Sequence, residues 1–343
     1  MVGGRARRAA RTARLIESST PAPMRRILVA LLLVVPLSSG AQGAPPAEAG
    51  ARLFEARRYD EARASLEAAV RADPRDARAL FYLGRIALVE GNGDKGAEWL
   101  ERAVKLDGKR SEYRHWLGRA YSRQALRAGK LKQARLAGRI REAFHSAVAL
   151  DPDNIDARFD LLQYYVLAPG IMGGSVQKAR EQAAEIRRRN PFRGHLAFGA
   201  VAADAKDDAA AEREFTAAVA QFPDSGAGAY TLGAHYARLR QWDRAFELFE
   251  RRVRERNDGP SLYYIGRLAS LSGERLDRGA EALSAYLERK PGDTDPSLAS
   301  AHYRLGLIYE KQQKRDLARQ EFATTVQLDP RQTEAKAALK RVQ

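Results

Sequence analysis

The chain has 343 residues, of which 59 are Lys or Arg and 43 are Asp or Glu, and 45% are apolar. A chain of this length can bury a large core, and its charged fraction of 30% is ordinary for a folded protein, which argues against wholesale disorder. Because it contains no cysteine, it forms no disulfide, no thiolate metal site and no thiol nucleophile.

The N-terminal residues predict an export signal. Two arginines follow Met24, an apolar run extends from Ile27 to Val35, and Ala41 ends a stretch of small residues typical of a cleavage site. The run is shorter than the roughly 20 residues that span a bilayer. We therefore expect residues 24–41 to be a signal peptide cleaved near Ala41, which would leave the protein periplasmic or secreted. The alternative is an uncleaved segment that anchors it to the inner membrane.

Residues 1–23 are rich in arginine, and we expect them to be a misassigned or disordered extension upstream of the true start at Met24. Removing residues 1–41 takes away seven Arg and one Glu, so the remaining chain has 52 basic and 42 acidic residues, a net charge of +10. An exported protein does not meet chromosomal DNA. The positive charge therefore points to anionic surfaces or acidic partners, and we expect no binding of nucleic acid.

From residue 43 onward, a pattern of about 34 residues recurs. A Leu-Gly-x-x-Tyr motif is followed by Ala-x-x-x-Phe, at Leu232–Phe249 and again at Leu305–Phe322, and a weaker copy begins at Leu83. This pattern resembles the tetratricopeptide repeat. The resemblance implies an all-α fold, an α-solenoid of stacked helix–turn–helix units, and every apolar period in the sequence is helical.

Extending the pattern gives about eight units over residues 43–332, followed by a C-terminal capping helix over residues 333–343. Pairs such as Asp73-Pro74 and Asp329-Pro330 close most units, because proline cannot continue a helix. Glycines such as Gly118 and Gly306 would let the two helices of a unit approach closely, and Phe144 and Phe322 would fill the space between neighbouring units. The predicted units are 43–76, 77–110, 111–154, 155–191, 192–225, 226–258, 259–298 and 299–332.

Motifs that suggest chemistry have simpler interpretations. The Gly91-x-Gly93-x-x-Gly96 motif matches a dinucleotide-binding fingerprint, but it falls in a turn between two helices, whereas that chemistry needs a preceding strand. None of the five histidines lies at metal-ligand spacing from another. We therefore predict no enzymatic activity, no catalytic residue, no cofactor and no metal.

Two insertions interrupt the repeat. The third unit is about 10 residues too long, and its extra residues predict a lengthened hairpin over 123–141 with seven basic side chains and no acid. The hairpin is either a solvated basic face or a contact for an anionic membrane, an envelope polymer or an acidic protein. Its basic residues are Arg123, Arg127, Lys130, Lys132, Arg135, Arg139 and Arg141.

The fourth unit carries a glycine-rich loop, Pro169–Ser175, between its two helices. Gly173 and Gly174 permit backbone conformations that other residues avoid, and Ser175 can cap the helix that follows. Either the loop is a structural connector or its amides bind an anion.

In proteins with this resemblance, the first helix of each unit lines a concave groove that holds a peptide or a partner helix. Carried onto this chain, the resemblance places basic and aromatic side chains together, which suits an acidic or aromatic extended segment. The alternative is that the aromatic residues pack within the solenoid while the arginines are solvated. The predicted groove residues are Arg78, Phe81, Arg85, His115, Arg119, Arg123, Tyr230, Arg238, Tyr263, Arg267, Tyr303 and Lys311.

From these features we expect a non-enzymatic scaffold or adaptor in the periplasm, which binds one or more envelope proteins through this basic, aromatic-lined groove. The alternative is peripheral binding to an anionic membrane or envelope polymer through the hairpin 123–141. The sequence indicates neither the partner nor the oligomeric state.

Overall fold

The computed structural model of the chain describes residues 46–289, 291–292 and 295–342, so the predicted extension and signal peptide lie outside the described residues. These residues form an all-α fold without a β-strand. None of their helices is both long enough and apolar enough to cross a membrane. The helices are α1 (Pro46–Glu55), α2 (Tyr59–Ala72), α3 (Ala77–Val89), α4 (Gly93–Leu106), α5 (Ser111–Ala125), α6 (Lys130–Leu150), α7 (Ile155–Leu167), α8 (Val176–Arg189), α9 (Pro191–Asp204), α10 (Asp208–Gln221), α11 (Gly226–Arg238), α12 (Trp242–Arg256), α13 (Gly259–Ser272), α14 (Leu276–Leu287), α15 (Leu298–Lys311), α16 (Arg315–Leu328) and α17 (Thr333–Arg341).

Helices adjacent in sequence pack against each other from α1 to α17, as expected for stacked helical hairpins. The first helices of successive hairpins also touch each other, which joins the hairpins into a solenoid and confirms the predicted fold class. These additional contacts join α1 with α3, α3 with α5, α5 with α7, α7 with α9, α11 with α13, and α13 with α15.

Glycines in the first helices set the close packing within a hairpin. A Cβ atom added to Gly118 would lie 2.5 Å from the ring of Phe144, and one added to Gly306 would lie 2.6 Å from the ring of Phe322. Both rings are buried, so each fills the space that its glycine leaves open. The same arrangement pairs Gly84 with Leu100, Gly199 with Phe215, Gly233 with Phe249, and Gly266 with Leu283.

Helix ends follow the local sequence. The second helix of a hairpin ends just before Asp73-Pro74 and again before Asp329-Pro330, while Pro191 is the first residue of α9. The last helix, α17, packs on α16 through Ala338, and Val342 just beyond it joins the same small cluster around Phe322. It therefore covers apolar surface that α16 would otherwise expose.

Candidate partner-binding site

Three of the predicted groove residues lie in the interior rather than on a binding surface. Phe81, His115 and Tyr263 are buried, and the ring of Phe81 stacks on that of Tyr113 with 4.7 Å between the ring centroids. A first helix packs on its own second helix and on the first helices of both neighbouring hairpins, so few of its positions reach solvent. Assigning these three residues to a partner contact was therefore wrong.

Arg85 is held by contacts inside the protein. Its guanidinium lies 4.3 Å from the ring centroid of Phe54 and 4.6 Å from that of Trp116, and one of its nitrogens lies 3.3 Å from the carboxylate of Glu55. Its side chain is only 15% exposed. Arg85 thus links consecutive hairpins through cation–π contacts, and we no longer include it among partner-binding residues.

Arg119 belongs to a partly buried cluster that joins α5 to α7. Its Nε donates to the carboxylate of Asp160 at 2.5 Å, and the ring Nε2 of His115 lies 2.7 Å from the same oxygen. Burial alone would raise the pKa of Asp160, but the hydrogen bonds from His115 and Arg119 and the positive charge outweigh burial and hold its pKa below the ordinary value. The cluster therefore stabilises the contact between two hairpins.

The remaining predicted groove residues are at least partly accessible. Tyr230 is half-buried, donates from its hydroxyl to Asp258 at 3.1 Å, and stacks on Tyr264. Tyr303 is half-buried beside Phe322. The others are half-exposed or exposed basic side chains: Arg78, Arg123, Arg238, Arg267 and Lys311.

Two of these basic residues meet in one cavity. A cavity of about 580 Å³ lies between the C-terminal ends of α11 and α13, and both Arg238 and Arg267 line it. None of its lining residues is acidic. The full lining is Ala234, Ala237, Arg238, Arg240, Trp242, Arg267, Leu271 and Ser272.

The turn between α11 and α12 places two further functional groups in this cavity. Arg240 adopts a left-handed backbone conformation, with φ of 56°, and the amide of Gln241 donates to the carbonyl of Tyr236 at 2.9 Å. This tight turn brings Arg240 and the first residue of α12, Trp242, beside Arg238. Neither residue was predicted from the helical periodicity of the sequence, although a basic and an aromatic residue close together in one short turn could have indicated them.

The charges in the cavity are only partly compensated. Arg238 pairs with Asp208, whereas Arg240 and Arg267 form no ion pair with any described residue. Two guanidinium groups are therefore free to bind carboxylates, and Trp242 and Leu271 supply adjacent apolar surface. Beyond them, the Nζ of Lys311 lies 3.9 Å from the place that a Cβ on Gly273 would take, which extends the basic surface towards α15.

A second cavity of similar volume is less suited to an acidic ligand. It lies between the α1–α2 turn, the end of α3 and the turn after α16, so it brings the first and last hairpins together. Its lining includes Asp60, Glu61 and Glu90, and Arg58 donates to Glu61 at 2.7 Å. The opposite charges in this cavity largely neutralise each other.

The predicted basic hairpin consists of α5, α6 and the turn between them, and α6 is 21 residues long. Arg139 is engaged internally, because it donates to Glu101 at 2.7 Å and to the hydroxyl of Tyr121 at 2.5 Å. Lys132 lies 3.6 Å from Asp94. The other basic side chains of the hairpin are exposed and form no ion pair with a described residue: Arg123, Arg127, Lys130, Arg135 and Arg141.

The glycine-rich loop is a structural connector. The amides of Gly173, Gly174 and Ser175 donate to the carbonyls of Gly170, Pro169 and Tyr165 at 2.8–3.1 Å. The side chain of Ser175 accepts from Lys178 and caps α8. Since these amides already have acceptors, the predicted alternative of an anion at this loop is wrong.

The described residues contain no group of three His, Asp or Glu side chains that could hold a metal ion. The histidines that contact carboxylates reach them across packed helices, as His302 contacts Glu321 at 2.6 Å. The candidate site that the described residues form most clearly is the basic cavity between α11 and α13.

Parts of the chain match a known repeat family in sequence, and the fold is similar to that of solved structures. Residues 48–111 and 268–333 match the tetratricopeptide repeat family. A tetratricopeptide repeat protein from Parabacteroides merdae is similar in structure, with a TM-score of 0.50 and 14% identity, over 87% of this chain and 97% of that one.

Two further solved structures are similar over shorter stretches. A thermophilic protein of the same repeat class from Thermus thermophilus gives a TM-score of 0.47 and 18% identity, over 56% of this chain and 97% of that one. A mutant O-GlcNAc transferase from Thermobaculum terrenum gives 0.36 and 20%, over 42% and 25%. No curated protein sequence matches the chain. At 14% identity, the similarity to the Parabacteroides merdae protein shows the fold alone.

Proposed function

We propose that this chain, which carries tetratricopeptide repeats in its two matched segments, is a non-enzymatic interaction scaffold that binds an acidic, extended segment of a partner protein. Tetratricopeptide repeats generally mediate protein–protein interaction. The binding site is the cavity between α11 and α13, and the observation that carries the proposal is the pair of uncompensated guanidinium groups, Arg240 and Arg267, beside Trp242.

The chemistry of the cavity selects the partner. Charge-assisted hydrogen bonds from arginine favour carboxylates, and the planar guanidinium can bind one in a bidentate fashion. Trp242 and Leu271 favour an apolar or aromatic side chain next to the acidic ones. An extended segment that continues past Arg267 would also come near Lys311 on α15. We therefore expect acidic residues interspersed with aromatic residues in the bound segment.

Selection from a random peptide library displayed on phage tests this proposal. Peptides that bind the protein should be enriched in Asp and Glu, and the double variant Arg240→Glu, Arg267→Glu should bind a selected peptide at least about 30-fold more weakly, which corresponds to about 2 kcal/mol. Fluorescence anisotropy with the labelled peptide measures the affinity.

The matched control is Arg213→Glu with Arg251→Glu, because both arginines are exposed, lie outside the cavity and form no ion pair with a described residue. This variant carries the same change in net charge and should bind the peptide within about twofold of the natural chain. Equal losses in the two variants would mean that total charge, and not the cavity, controls binding. Selected peptides without acidic enrichment would also contradict the proposal.

We also propose that the protein acts in the periplasm or outside the cell after cleavage near Ala41, where its partners would be envelope proteins. The support is the basic, apolar and small-residue order of residues 24–41, which lie outside the described residues. N-terminal sequencing of the protein recovered from its own host should give Gln42 as the first residue. Recovery of the protein from the membrane fraction with residues 27–35 still attached would favour the anchored alternative.

A further inference from the structure

The most exposed large apolar side chains of the described residues all lie in the two lengthened turns. Leu126 is 76% exposed and Leu131 is 90% exposed at the tip of the α5–α6 hairpin, while Leu167 at the end of α7 and Ile171 in the α7–α8 loop are 74% and 96% exposed. The next most exposed is Leu328, at 51%. Exposed apolar residues scattered singly need no explanation, but four of them on two neighbouring turns indicate a contact surface.

The α7–α8 loop packs against the middle of α6. Arg141 on α6 lies against Gly173 in the α7–α8 loop, and α6 also contacts the short 3₁₀ turn Gly170–Met172. Lys130 is eleven residues from Arg141 along α6, which is about 16 Å, so the hairpin tip projects beyond the loop.

Positive charge surrounds the apolar residues. Arg127 and Lys130 lie beside Leu126 and Leu131 at the tip, Arg135 lies one turn further along α6, and all three are exposed without an ion pair among the described residues. Between residues 123 and 141 the chain has no acidic side chain. Exposed leucines within a basic cluster are the combination that binds the interface of an anionic bilayer.

The start of α6 is positively charged. Its first turn contains Lys130 and Lys132 and no acid, and the preceding Gly129 provides no side-chain cap. The helix dipole disfavours positive charge at this end. The first amide groups of the helix also have no acceptor within the helix. Phosphate groups beside this turn would offset the lysine charges and accept from the free amides.

We propose that the α5–α6 tip, assisted by the α7–α8 loop, is a peripheral binding surface for a bilayer that contains anionic phospholipid. Leu126 and Leu131 enter the headgroup region, and Leu167 and Ile171 make the second apolar contact. Arg127, Lys130 and Arg135 bind lipid phosphates. This surface lies on different hairpins from the cavity between α11 and α13, so the protein can hold a partner while it rests on a membrane.

Flotation with vesicles of phosphatidylcholine, with and without about one quarter phosphatidylglycerol, tests this surface. We expect the full chain to bind the anionic vesicles at least tenfold more strongly than the neutral ones, and less strongly as salt rises from about 0.1 to about 0.5 M, because salt screens the charges. Leu126→Ser with Leu131→Ser should lower the partition coefficient at least fivefold, and Lys130→Glu with Arg135→Glu should lower it at least tenfold.

Controls separate the surface from other contributions. Because the apolar run 27–35 could bind lipid by itself, each variant is compared only with a natural chain that also contains this run. The series is then repeated with residues 42–343, once circular dichroism shows that this shorter chain has the same helix content. Leu317→Ser with Leu328→Ser and, as the charge-matched control, Arg213→Glu with Arg251→Glu should bind vesicles like the natural chain.

Three results would overturn the proposal. The first is the absence of a preference for anionic vesicles. The second is unchanged binding of the Leu126→Ser, Leu131→Ser chain, which would mean that charge alone attracts the protein to polyanions. The third is an equal loss in the Leu317→Ser, Leu328→Ser control.

Discussion

Replacing Gly118 by alanine is expected to lower the free energy of unfolding by about 2–3 kcal/mol. The new Cβ would lie 2.5 Å from the ring of Phe144, which is far inside normal van der Waals contact. Phe144 is 3% exposed and packs near the ring of His115, so it cannot move aside without displacing its neighbours. Urea unfolding followed by circular dichroism measures the change.

Gly138 provides a control within the same hairpin. It also lies in a helix, α6, but a Cβ added there meets no atom within 4 Å. Gly138→Ala should therefore stabilise the protein by about 0.5–1 kcal/mol through helix propensity alone. Opposite signs for the two substitutions would show that close helix packing, and not helix propensity, fixes glycine at position 118. Equal effects would contradict this explanation of the repeat.

Asp160→Ala is expected to lower the free energy of unfolding by about 3 kcal/mol. The substitution leaves His115, which is 4% exposed, and the half-buried Arg119 without their shared acceptor. A surface pair gives the comparison. Asp153 contacts Arg189 at 2.8 Å but its side chain is 84% exposed, so Asp153→Ala should cost less than about 0.5 kcal/mol.

The contribution of Asp160 should also depend on pH. Its pKa in the folded protein is lowered, so the unfolded chain takes up the proton first as the pH falls. The stability that its charged form provides is therefore fully present above about pH 5 and is lost progressively below about pH 4. The difference in stability between the natural chain and Asp160→Asn should shrink in that acidic range. A difference that stayed constant down to pH 2 would show that the carboxylate charge does not matter.

The fold could be predicted from the sequence because the same packing arrangement recurs in successive hairpins. In every first helix except α7, one glycine has a large partner in the following helix, as Gly306 has Phe322, and the spacing between them indicates the hairpin. Periodic apolar residues decide which face of a helix is buried, and this information is local to the sequence.

The binding site could be predicted only in part, because it depends on turns and on tertiary contacts. Arg238 and Arg267 were predicted from their places on first helices, and they line the same cavity. Arg240 and Trp242 were missed because a left-handed turn residue, and not helix periodicity, brings them there. Tyr263 was misassigned because the sequence does not show how many sides of a first helix are covered.

The exposure of Leu126 and Leu131 could not be predicted from the sequence for a related reason. The hairpin sequence contains four large aliphatic residues, Leu126, Leu131, Leu136 and Ile140. In the structure, Leu136 and Ile140 are buried against the hairpin core, whereas the two leucines nearer the tip lie beyond any packing partner. The two pairs differ in exposure because the hairpin is longer than its neighbours, so that its tip extends beyond them.

Photocrosslinking from position 242 is the most direct measurement of partner binding. The photoreactive residue p-benzoylphenylalanine would replace Trp242 in the cavity and, in a separate chain, the exposed Glu255 on the same helix. With an acidic peptide from the selection, we expect a crosslink from position 242 that disappears in the Arg240→Glu, Arg267→Glu variant, and none from position 255. Equal crosslinking from both positions, or crosslinking that survives the double variant, would show that the peptide does not bind in the cavity.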